Sequence, residues 1–225
     1  MVFMMDSRRA ADIAQAAGLD TGLHLNLDLP LDGPGLPPEL RERLSRVIRY
    51  FRFGRWPQIL YNPLIQKDVA YAVRAQCEEY SRLYGAAPNR VDGHHHLHLS
   101  ANVLLAGLLP QGLRLRRSFT FLPREKSFLN RLYRRQVDRR VTRRHVCTDA
   151  FFSIRPLDDL PRLTRIMALA QASDVELMVH PDAPDEVAFL LGARFADLVA
   201  DVPRGTYRQL GLARGGPGIS TSAQT

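Results

Sequence analysis

The period of the apolar positions changes along the chain in a way that marks off elements. Val2 to Met5 is an unbroken apolar run and predicts a short buried strand. Arg8 to Ala17 is alanine-rich, with Asp6 or Ser7 as a cap and Gly18 behind it, and predicts a helix. Leu23 to Leu27 alternates strictly, leucines to one side and His24 and Asn26 to the other, as a half-buried strand does. A Pro/Gly-rich loop from Leu29 to Pro38 precedes helical spacing over Glu39 to Phe53. In Lys67 to Tyr84, Val69, Val73, Cys77, Tyr80 and Leu83 follow an amphipathic helix, ended by Gly85-Ala86-Ala87-Pro88. Val91 to Leu99 reads as a strand by period two. Asn102 to Leu109 predicts a short helix, Leu113 to Leu115 a strand, Leu157 to Ala172 a helix and Glu176 to His180 a strand closed by Pro181. The recurring strand–helix order predicts an α/β fold with mainly parallel strands.

The polar positions of these strands carry the chemistry. If Val91 to Leu99 is extended, Asp92, His94, His96 and His98 share one face, and Val91, Gly93, His95, Leu97 and Leu99 share the other. Four of the chain's seven histidines lie in this run. A carboxylate and imidazoles two residues apart can share an ion or a proton, which a tag or a solvated loop does not explain so well. His95, on the opposite face, is expected to matter little. His24, and His180 with Glu176, occupy the polar sides of two further strands. Each alone reads as a structural histidine; together they read as one constellation at strand ends, where α/β sheets collect functional groups.

Charge narrows the classes. The net charge of +8 is concentrated: residues 114–144 carry twelve Arg or Lys against Glu125 and Asp138, and the rest of the chain is slightly acidic. Such a block suits nucleic acid or anionic lipid headgroups. No zinc finger, helix-turn-helix signature or stacking aromatics accompany it, so a basic insertion on an enzyme is the expectation, with nucleic acid not expected. Peripheral contact with an anionic membrane and self-association stay open. No apolar run of about eighteen residues is present and no signal peptide is evident at the start. Cys77 and Cys147 stand alone, as in a reducing cytoplasm. Residues 1–210 are expected to form one domain, and 211–225, rich in Gly, Ser and Thr, a disordered tail.

Gly-Leu-His24-Leu-Asn-Leu, Val-Asp92-Gly-His94-His-His-Leu-His98 and Leu-Met-Val-His180-Pro, in that order, resemble the YdjC-like carbohydrate deacetylases. So do Asp185-Glu186, Phe189-Leu190-Leu191 and Thr206-Tyr207-Arg208-Gln209-Leu210 near the end. That family includes chitooligosaccharide deacetylases and deacetylases associated with hopanoid biosynthesis. The resemblance covers roughly residues 1–210. It implies a distorted TIM-barrel-like (β/α) fold and removal of acetyl from an N-acetylated amino sugar, borne on a chitooligosaccharide or a glycolipid.

It further implies a divalent ion, Mg2+ or Zn2+, held by an aspartate and two histidines. Those histidines correspond to His24 and His94, with His180 as the candidate general acid; Asp92, His96 and His98 are expected around the substrate. One departure stands out. The family's opening Ala-Asp-Asp-Phe-Gly, which supplies the metal carboxylate and the base, does not occur in this sequence. The chain is therefore expected to lack the first strand–helix unit. Without that carboxylate a two-histidine site holds metal poorly, and the other reading is a catalytically impaired sugar-binding remnant. Asp92 is the nearest carboxylate, and its place in the pattern suggests that it orients a histidine.

Overall fold

The structure is a computed structural model describing residues 1–54, 56–122 and 125–210; the expected tail at 211–225 lies outside them. Helices α1 (Ser7–Ala16), α2 (Pro38–Phe51), α3 (Trp56–Ile59), α4 (Gln66–Tyr84) and α5 (Ala101–Leu104) are interleaved with strands β1 (Leu23–Leu25), β2 (Arg90–Gly93) and β3 (Arg114–Leu115). Then come α6 (Phe128–Thr142), β4 (Ala150–Ser153), α7 (Leu160–Ala170), β5 (Val175–Met178), α8 (Pro184–Leu191) and α9 (Ala193–Val199).

All strand pairs are parallel, as the strand–helix alternation predicts. One sheet runs β1-β2-β3, with His24 beside Asp92, and the second is β4-β5. A parallel bridge of Arg114 with Val146, and a bond from the Thr120 N–H to the Phe151 carbonyl, continue the first sheet into the second in the same direction. The strands therefore point their C-terminal ends the same way. Among the described residues the strands do not close into a barrel, so the barrel expectation reduces to a mixed α/β fold of short parallel strands.

Leu23, Leu25 and Leu27 are buried against α2 and α4 through Leu40, Leu44, Val47, Val69 and Val73. A second core gathers Ala150, Phe152, Ile154, Leu163 and Ile166. Val2 and Phe3 are also buried, but Val2–Met5 is no strand. Phe3 takes a left-handed φ of 56°, and its carbonyl accepts from Gly33 at 2.7 Å. The apolar run packs as a turn because its backbone bonds go to the 29–36 loop instead of to β1. No described helix is long and apolar enough to cross a membrane.

Candidate metal centre

The site is built where β1 and β2 end. Asn26 is fully buried: its N–H donates to Gln76 Oε1 at 2.9 Å, and Gln76 Nε2 returns a bond to its carbonyl at 2.8 Å. Its Oδ1 accepts from the N–H groups of Asp28 (3.3 Å) and Leu29 (2.9 Å), an Asx turn that breaks the strand. Asn26 thus serves the backbone, and Asp28 is the side chain delivered by the turn. On β2 the extended backbone stops at Gly93. A Cβ there would sit 2.9 Å from both N and Nδ1 of His98, so only glycine lets the chain fold back so closely.

Beyond Gly93 the histidine run is a 3-10 turn, His94–Leu99, with left-handed φ at His95 (47°) and His96 (61°). This corrects the expected strand. Period two does not hold past residue 93, so His94, His96 and His98 do not share a face. Two non-glycine residues at positive φ are strained and persist only where the surroundings enforce them.

The turn swings His95, expected to be uninvolved, against Asp28: its Nδ1 lies 2.5 Å from Oδ2. His94 stacks obliquely on His95 with ring centres 4.1 Å apart, and the His24 ring meets His94 edge-on at 5.8 Å. Asp28, His94 and His95 bring one potential ligand atom each within 4.8 Å of the others. Three features of this group suit a cation. Asp28 is buried, and its Oδ1 has no hydrogen-bond partner. Burial pushes the His94 imidazole below its ordinary value, towards the neutral, ligating form. The donors, one carboxylate and imidazoles, are those divalent zinc accepts. Asp28 is the residue that the motif reading missed, although it continues the polar parity of His24 and Asn26.

Behind the cluster runs a buried ionic chain. His24 Nδ1 donates to Asp92 Oδ1 at 2.9 Å, leaving Nε2 uncommitted, and Arg116 pairs with the other Asp92 oxygen. Arg116 also holds Glu176 Oε1 at 2.7–2.8 Å, and Tyr207 donates its hydroxyl to Glu176 Oε2. Burial alone would raise the Asp92 pKa. The His24 hydrogen bond and the Arg116 charge override it and hold the carboxyl well below the usual range.

The other expected residues are placed differently. His98 is fully buried with Nε2 on the Arg116 carbonyl at 2.9 Å, and burial lowers it to about 4. His96 packs edge-on to Phe119 at 4.6 Å and is lowered to about 3, again chiefly by burial. His98 sits in the protein interior, and His96 is half-buried against the aromatic rings beside it. His180 follows β5, beyond the same sheet end, and is half-exposed. Its Nδ1 faces Glu186 Oε1 at 3.2 Å, its N–H donates to Oε2 at 2.6 Å, and Arg155 Nε grips the same carboxylate at 2.6 Å. Burial raises the Cys77 and Cys147 thiols to about 11 and about 12, so neither supplies a thiolate near neutrality.

In a comparison against protein families, the model described as YdjC-like protein matches residues 1–208. The chain belongs to the YdjC-like family. Membership associates it with carbohydrate deacetylase-type hydrolases. No curated protein matches the chain. Within this family member, the motifs around His24, His94 and His180 all lie at the C-terminal ends of the parallel strands, where β1, β2 and β5 lead out of the sheets.

Proposed function

We propose that this YdjC-like chain is a metal-dependent amide hydrolase that removes acetyl from an N-acetylated amino sugar. The observation that carries the reading is the convergence of Asp28, His94 and His95 on one point beside His24. It provides a carboxylate in a chain that lacks Asp-Asp-Phe-Gly. Asp28, His94 and His95 would hold the ion. His24 would join them through Nε2, with Asp92 fixing its tautomer as carboxylates behind ligand histidines do. When bound, a divalent ion supplies Lewis-acid polarisation of the amide carbonyl and an acidified water.

His180 acts on the leaving side. With Nδ1 turned to Glu186, it can present Nε2 to the departing amine and deliver the proton that the amine needs. A second reading is sugar binding by the same residues without turnover.

Metal titration followed by calorimetry, together with acetate release from N-acetylglucosamine oligomers, tests both. Asp28→Asn and His94→Ala should each lower affinity for Zn2+ or Mg2+ by tenfold or more. His95→Gly, which tolerates the left-handed backbone, should do the same. Unchanged affinity in all three would refute the centre. Tight metal binding with no acetate released would instead establish the binding-only reading.

A further inference from the structure

Helix α6 is held by one side and unpartnered on the other. Its inward face is fixed by Val141 and by Asp138, which accepts from Ser118 N (3.0 Å), Ser118 Oγ (2.8 Å) and Arg117 Nη2 (2.7 Å). Arg134, also turned inward, stacks over the Phe121 ring at 5.0 Å. Helical spacing puts Phe128, Leu132, Arg135 and Arg139 on the opposite face, and all four are exposed. Phe128 and Leu129 are 69% and 74% exposed at the start of the helix. The helix's one acidic residue, Asp138, is buried, so the outward face carries arginines without a counter-charge.

We propose that this face docks on an anionic lipid surface, Phe128, Leu129 and Leu132 entering the headgroup boundary while Arg135 and Arg139 meet phosphates. The basic segment 114–144 is thereby divided. Arg116 and Arg117 belong to buried ion pairs, and the docking charge lies on α6. Large exposed apolar side chains beside cations, on a helix braced from behind, are what interfacial binding uses. A second copy of the chain fits less well, because a self-complementary contact would set Arg135 and Arg139 against their own equivalents. Nucleic acid would satisfy the arginines and leave the leucines in water.

The inference is independent of the deacetylase reading. Its test is co-sedimentation of the full chain with phosphatidylcholine vesicles containing 30% phosphatidylserine or none, at about 0.1 M salt. Binding should favour the anionic vesicles at least tenfold. The pairs Phe128→Ser with Leu132→Ser and Arg135→Gln with Arg139→Gln should each weaken it tenfold or more, since each basic residue near such a surface contributes about fivefold. Circular dichroism and melting should be unchanged, because these side chains point into water. Equal binding to neutral vesicles, or wild-type binding by both pairs, would overturn the proposal. So would duplex DNA retention or dimerisation lost in these variants without vesicle binding.

Discussion

At the scale of single residues, the histidines divide by what burial does to them. His98 is the fully buried case: burial lowers it to about 4 in the folded chain from an ordinary 6.5. Between those values the unfolded chain takes up a proton that the folded chain refuses. Stability is therefore lost as pH falls from about 6.5 to about 4, by on the order of 3 kcal/mol. Asp92 acts in a lower window. Its folded value is depressed, so its contribution is present above 3.8 and is lost only below that. His98→Gln places an amide donor where Nε2 meets the Arg116 carbonyl and should reduce the pH slope of urea-unfolding free energy between 6.5 and 4, leaving the share of His96; an unaltered slope would place the acid sensitivity elsewhere. The residue types of the site were legible in the sequence, but their partners were not. His94 could be picked out as chemical, whereas the pairing of His95 with Asp28 depends on two left-handed backbone conformations that no alternation of polar and apolar residues encodes.

At the scale of elements, long periodic segments were read to within a few residues, as α2 and α4 show. The failures fell on short apolar or polar runs and on α6, a fifteen-residue helix in the basic segment whose charged sequence suggested no element. Val2–Met5 has strand composition but spends its backbone bonds on a loop, and the histidine run is cut at Gly93 by the close approach of His98. Helix α8 shows how an element can hold a site from outside. Its first turn carries Asp185 and Glu186 to Arg155, and the buried Glu186 in turn binds both N and Nδ1 of His180. Glu186→Gln preserves the shape and removes the charge that holds the imidazole. It should lower turnover about tenfold or more while metal stoichiometry stays at the wild-type value. Undiminished turnover would mean that Glu186 serves only to seat α8.

For the molecule as a whole, the buried ionic chain joins regions that sequence reading treated separately. Asp92 belongs to the first sheet, Arg116 leaves it, Glu176 lies on β5, and Tyr207 comes from the end of the described chain. Arg116 and Glu176 are 14% and 10% exposed at their side chains, and removing one partner of such a pair costs about 3–5 kcal/mol. The two hydrophobic cores, the larger around Leu23 and Leu44 and the smaller around Phe152 and Ile166, have no such tie within their apolar packing. Native-state hydrogen exchange on Glu176→Gln or Tyr207→Phe should therefore show β4 and β5 amides exchanging faster while β1 and β2 stay protected. A uniform acceleration across both sheets would show that the cores are coupled by other means. The chain His24–Asp92–Arg116–Glu176–Tyr207 is thus a charged tie laid beside the backbone bonds that join the two sheets. Cutting it in the middle is expected to lower the free energy at which the smaller core opens relative to the larger, so that the two part company on melting.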